Sequence, residues 1–154
     1  MILKKIFDRK NIIILILLIS TVLLSANAIR NYEKQADIDR HFIGNYTNLL
    51  MQARSGGLHS DPSDFDEVDV QCVKYGHTLT TLFRYTSYAE NEDLGHILAI
   101  LNQAIGETRF YASVVDFSEI PEEDFQKLLD LMPDFEAEKC EEAWEIVQRI
   151  YIQY

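Results

Sequence analysis

The stretch IIILILLISTVLLSANAI, residues 12–29, contains no charged side chain. A helix that crosses the hydrocarbon core of a bilayer needs about 20 mostly apolar residues, with a lower limit of about 17, so this stretch is just long enough. An excess of Lys and Arg is typical of the cytoplasmic flank of a span. The pattern predicts a single-pass protein of the cell membrane with a cytoplasmic N-terminus and an exported remainder, and the basic flank consists of Lys4, Lys5, Arg9 and Lys10.

A cleaved signal peptide is the alternative interpretation of the same stretch. Such a peptide has a basic start, an apolar core of about 7–15 residues and a small-residue cleavage site, and the run 12–24 followed by Ala26-Asn27-Ala28 fits this layout. After Ala28, however, no Pro or Gly occurs before Gly44, and apolar residues recur near the 3.6-residue helical period. The sequence therefore predicts a retained anchor, with secretion after cleavage as the alternative.

Charge and length predict how the chain is divided. The whole chain carries a formal charge of −11, of which residues 1–29 contribute +3, so the exported part carries −14. Nucleic acid and anionic lipid surfaces are poor partners for such a domain. The remaining length suits one hydrophobic core. We expect a basic cytoplasmic N-terminus (1–11), a transmembrane anchor or signal peptide (12–29) and an exported acidic helical domain (30–154).

The apolar residues of the exported part follow the helical period, and no stretch alternates as a strand would. The predicted fold is all-α: an N-terminal transmembrane helix followed by an antiparallel helical bundle of four to five helices. The third exported helix holds its apolar spacing over the longest distance, through Leu101, and is expected to be central. The predicted helices cover about 31–54, 66–89 and 94–115, a short fourth helix that begins at 118–121 and ends at Pro133, and 133–151.

The two cysteines, Cys72 and Cys140, lie on apolar stripes of two different predicted helices. An oxidising compartment permits a disulfide between them, which would stabilise the domain by constraining its unfolded state. Buried thiols that act as small apolar side chains fit the same stripes. The sequence leaves both alternatives open.

No motif identifies a reaction or a cofactor. Asp93-x-x-His96 is a single partial copy of the pattern that a di-metal bundle needs twice, and His96 is expected to cap or pack near its helix start. The acidic run that begins at Asp64 departs from a calcium-binding loop at its fifth, sixth and twelfth positions, and the polar loop around Ser55 and His59 lacks rigid elements to orient it. We predict no catalytic, cofactor-binding or metal-binding residue, and an enzyme is not favoured.

The densest charge feature is the run 116–145, in which twelve acidic residues stand against Lys127 and Lys139. Such a run is usually a solvated surface. Like charges three and four residues apart nevertheless destabilise a helix, and a basic partner would relieve that repulsion. The predicted partner is an exported or membrane protein with a basic surface, and the predicted binding face is Glu138, Glu141, Glu142 and Glu145.

Two functions of different classes follow from these observations. The first is a membrane-anchored, extracytoplasmic, non-enzymatic module for protein interaction or an accessory role. The alternative is an exported helical protein that binds a small ligand or a metal. The first function is favoured, because the anchor and the acidic run are the clearest features of the sequence and neither supplies a set of residues that would bind a small ligand or a metal.

Overall fold

The computed structural model describes residues 9–56, 67–107 and 120–152. Every regular element in these ranges is an α-helix and none is a strand, which confirms the predicted all-α bundle. The helices are α1 (Arg9–Gly56), α2 (Glu67–Phe83), α3 (Glu92–Glu107), α4 (Glu122–Leu129) and α5 (Ala137–Ile152).

The chain divides into two compact units, Met1–Asp37 and Ile38–Tyr154. The first unit contains the stretch 12–29, whose large apolar side chains are all exposed, from 37% at Ile12 to 70% at Leu24. An 18-residue window of this helix has a mean hydropathy of 2.7, and none of the window is buried. By length and composition, it is the one helix within the described residues that could cross a membrane, although a signal sequence meets the same criteria.

Helix α1 runs for 48 residues and continues without interruption through Ala26-Asn27-Ala28. The absence of Pro and Gly before Gly44 explains this continuity, since these two residue types are the main breakers of a helix. Gly44 itself is exposed, and a Cβ atom placed there would meet nothing within 4 Å. The glycine is therefore tolerated by the helix and is not required by a close helix contact.

The core of the second unit is formed by apolar side chains from all five helices. Helix α3 packs against both α2 and α5, as its long apolar spacing predicts. It is described as far as Glu107, so its predicted continuation to residue 115 lies outside the described residues. The buried residues of α1 and α3 recur at helical spacing and are Phe42, Tyr46, Leu49, Leu50, Ala53, Leu94, Ile97, Leu98 and Leu101.

Helix α2 ends at Phe83, and the predicted end at residue 89 is wrong. The Tyr85 N–H donates to the Leu82 carbonyl at 2.8 Å, which tightens the chain into a turn. The Thr86 hydroxyl then donates to the Phe83 carbonyl at 2.7 Å and accepts from the Tyr88 N–H at 3.2 Å. A threonine side chain that bonds to the backbone in this way competes with helical hydrogen bonds, so consecutive turns replace the last predicted helical turns.

Helix α5 begins at Ala137, and the predicted start at Pro133 is wrong. Phe135 has a φ of 45°, in the left-handed region that a right-handed helix cannot contain. Its N–H donates to the Leu131 carbonyl at 2.7 Å, and its carbonyl accepts from Asn91 Nδ2 at 3.0 Å. Residues 130–136 thus form a turn, here called the Phe135 turn.

Aromatic rings hold the Phe135 turn against α1. The Phe135 ring lies 5.5 Å from Phe42, 5.4 Å from Tyr46 and 4.8 Å from Tyr88, measured between ring centroids. The buried Tyr46 hydroxyl donates to the Leu128 carbonyl at 3.1 Å, and burial raises the pKa of this phenol above its ordinary value. These contacts fix the position of the chain segment that leads from α4 into α5.

Candidate functional site

The outer face of α5 carries the four glutamates that the sequence predicts as a partner-binding face. Glu138, Glu141, Glu142 and Glu145 are all exposed. Their spacing of three and four residues places them on one side of the helix, and together they are here called the acidic face. The other side of α5 is buried in the core through Cys140, Ala143, Ile146 and Val147.

Glu142 differs from the rest of the acidic face because it is paired with α4. Lys127 Nζ lies 2.8 Å from Glu142 Oε1 and 3.9 Å from Glu123 Oε1. The hydrogen bond to Glu142 is the main cause that raises the pKa of the Lys127 ammonium. The other three glutamates of the acidic face make no ion pair with any described residue. Their charges therefore stay available to a partner.

A groove of about 510 Å³ separates α4 from α5 and borders the acidic face. A second ion pair crosses it, in which Arg149 Nη2 lies 2.9 Å from Asp124 Oδ2. Both basic side chains of the groove are thus already bound to acids, and they hold the two helices together. The groove is lined by Glu123, Asp124, Lys127, Glu142, Glu145, Ile146 and Arg149.

His96, which the sequence expects to cap or pack near a helix start, packs. Its ring lies 5.2 Å from the half-buried ring of Trp144, at an interplanar angle of 35°. The cap of α3 is Asn91, whose Oδ1 accepts from the Leu94 N–H at 3.0 Å. An asparagine directly before the acidic first turn of a helix is the sequence signal for this cap, and the predicted helix start at residue 94 missed it.

Asn91 also reaches one of the two cysteines. Its Nδ2 donates to the Phe135 carbonyl at 3.0 Å and to Cys140 Sγ at 3.4 Å. Cys140 and Cys72 are both buried, and no disulfide joins them in the structure. Burial raises the pKa of the Cys140 thiol, which disfavours the reactive thiolate. Both thiols are thus buried, and Cys140 accepts a hydrogen bond from Asn91.

The histidines and acids of the described residues are dispersed over several helices. No group of three or more His, Cys, Asp or Glu side chains in these ranges could hold a metal ion. His41 and His77 are exposed on α1 and α2 respectively. The loop that contains His59 and the start of the acidic run at Asp64 lie outside the described residues.

Comparison with known proteins adds no assignment to the acidic face. No family model, no curated protein and no solved structure matches this chain. The function has to be inferred from the apolar helix and the charged surface themselves.

Proposed function

We propose that this protein is a membrane-anchored, extracytoplasmic helical module without enzymatic activity, whose acidic face binds a basic surface of another exported or membrane protein. Residues 12–29 form the single span, and the N-terminus lies in the cytoplasm.

The exposure of the apolar stretch is the observation that carries the proposal. In the second unit, large apolar side chains are buried in a shared core. In the first unit, the stretch 12–29 presents its large apolar side chains on every side of the helix, and none is buried. A helix that is apolar all round needs an apolar environment, either a protein core or a bilayer, and an exposed surface of this size is unfavourable in water. Lipid is the environment that accommodates it.

The charge distribution supports the orientation. Four basic residues precede the span, and positive residues in short flanks are retained on the cytoplasmic side. The strongly acidic remainder then faces the opposite side, away from the anionic lipids of the cytoplasmic leaflet.

Recovery of the mature protein tests the anchor. After alkaline carbonate extraction, the full chain should remain in the membrane pellet with its N-terminal sequence intact. A membrane or secreted fraction that begins at Ile29 would show cleavage after Ala28 and refute the anchor. Protease added to the outside of intact cells should digest the acidic domain if the orientation is right.

Capture from solubilised membranes tests the acidic face. The change of Glu138, Glu141 and Glu145 to Gln removes three unpaired charges and leaves the Lys127–Glu142 pair intact. We expect loss of a partner that the wild type retains at low salt and releases at high salt, because exposed charges are screened. A matched control changes three exposed glutamates elsewhere to Gln, which gives the same net charge. The control residues are Glu67, Glu90 and Glu92. Identical partner lists for both variants and the wild type would refute a role of the acidic face in binding.

A further inference from the structure

The proposed span contains polar side chains as well as apolar ones. A hydroxyl or amide in hydrocarbon is unfavourable unless it is hydrogen-bonded, because no water is present to solvate it. The side chains concerned are Ser20, Thr21, Ser25 and Asn27.

Only some of these groups are satisfied within their own helix. The Thr21 hydroxyl donates to the Leu17 carbonyl at 2.9 Å. An asparagine can do the same, as Asn45 does further along α1, where its Nδ2 donates to the His41 carbonyl at 2.7 Å. The side chains of Ser20, Ser25 and Asn27, by contrast, make no hydrogen bond with any described residue.

Ser20 and Asn27 lie on the same face of the helix. They are seven residues apart in sequence, and a helix of 3.6 residues per turn brings positions at that spacing to within about 20° of each other. The same geometry places Ser25 alone on nearly the opposite side of the helix. The face of Ser20 and Asn27 therefore resembles the seam of a coiled coil, and its apolar members are Ile13, Ile16, Leu23 and Leu24.

We propose that this face pairs with a second copy of the chain, so that the protein is a parallel dimer within the membrane. The inference rests on the proposed membrane anchor, because two copies inserted the same way round are parallel. Equivalent residues then face each other across the seam. An amide carries both donors and an acceptor, so Asn27 of one copy satisfies Asn27 of the other. Polar contacts of this kind stabilise helix pairs in bilayers.

Energy transfer between labelled chains tests the pairing. The full chain, labelled at its C-terminus with donor or acceptor, is reconstituted in phosphatidylcholine vesicles at decreasing protein-to-lipid ratios. The wild type should show transfer that saturates as a dimer. Asn27→Leu should weaken association by about threefold to twentyfold, and Asn27→Gln should preserve it. Ser25→Leu adds the same side chain on the opposite face and should leave association unchanged.

Disulfide trapping provides a second readout. In membranes treated with an oxidant, Ser20→Cys should form a cross-linked dimer, and Ser25→Cys should not. If Asn27→Leu and Ser25→Leu both behave as the wild type, the contact between the two Asn27 side chains is refuted, and a wild type that shows no energy transfer refutes the dimer itself. Cross-linking through Ser25→Cys alone would refute the assigned face. Failure of the wild type to resist carbonate extraction refutes the membrane anchor instead, which separates the two proposals.

Discussion

Removal of the Tyr46 hydroxyl should destabilise the second unit measurably. The ring of Tyr46 is fully buried, and its hydroxyl donates to the Leu128 carbonyl at 3.1 Å. Leu128 is in the last turn of α4, where a carbonyl has no helical N–H to accept from. Tyr46→Phe keeps the ring contacts and leaves this buried carbonyl without its partner. Such a loss costs about 1–3 kcal/mol, and we expect about 2 kcal/mol.

The single tryptophan gives a direct assay for this change. Trp144 belongs to the second unit, so its fluorescence reports the unfolding of that unit and not of the span. With the full chain in a mild detergent, Tyr46→Phe should lower the thermal midpoint by about 8 °C, at about 4 °C per kcal/mol for a unit of this size. Tyr75→Phe is the matched control, because it removes a hydroxyl that makes no hydrogen bond with a described residue.

The pH dependence of the stability difference between the wild type and Tyr46→Phe tests whether the buried hydroxyl causes it. Burial raises the pKa of Tyr46 in the folded state, so the folded protein keeps this phenol neutral while the unfolded chain ionises it near pH 10. The stability of the wild type is therefore fully present below that pH, and above it falls by about 1.4 kcal/mol per pH unit through this group. Tyr46→Phe has no phenol at this position, so its stability does not fall for this reason.

The difference in stability between the wild type and Tyr46→Phe should narrow as the pH rises from 9 to 11. Tyr88 also has a raised pKa, but it is present in both proteins and its contribution cancels in the comparison. Cys140 is one of the causes that raise the pKa of Tyr46, so its effect on Tyr46 is part of the difference that is measured. A gap that stays constant over this range, or equal midpoints for Tyr46→Phe and Tyr75→Phe at pH 8, would refute the reasoning.

Four further substitutions have effects that follow from the structure, and denaturant unfolding followed by Trp fluorescence measures each. Gly44→Ala should stabilise the protein by about 0.5–1 kcal/mol, since a Cβ atom at this site meets no neighbour. Gly95→Ala should stabilise it less, because the added Cβ would lie 3.2 Å from the Phe83 ring. Equal stabilisation by the two substitutions would contradict this. Leu101→Asp should abolish cooperative unfolding, because Leu101 is 3% exposed and the carboxylate would be buried unpaired; a sharp transition would contradict it. Asn91→Ala should cost about 1–2 kcal/mol through the lost cap, and an unchanged midpoint would show that the cap is dispensable.

The helices were predictable where periodicity alone determines them. The buried residues of α1 follow the helical repeat, and the predicted first helix runs through the region that α1 occupies. The ends of α2 and α5 were not predictable in the same way. They depend on the Thr86 hydroxyl, which bonds to its neighbours in sequence, and on the left-handed Phe135, which is held by residues distant in sequence. Asn91, for example, is bonded to the Phe135 carbonyl across two helices.

The candidate site also depends on contacts between helices that periodicity within one helix does not reveal. Helical spacing correctly groups the four glutamates on one exposed side of α5. Spacing along one helix contains no information about the side chains of another helix, however, and the pairing of Glu142 with Lys127 depends on how α4 lies beside α5. Arg149 and Asp124 form a pair for the same reason, although they are far apart in the sequence.

The distinction between paired and unpaired acids changes the meaning of the acidic run. On the groove side of α5, Lys127 and Arg149 already neutralise two acids, so a basic partner that bound there would have to break ion pairs to gain others. Glu138, Glu141 and Glu145, of which Glu145 also lines the groove, repel one another without compensation from the described residues. A basic surface placed over these three glutamates would gain attraction and remove repulsion at once, and no existing pair would be lost. We therefore expect a basic partner to bind more favourably over Glu138 and Glu141 than inside the groove between α4 and α5.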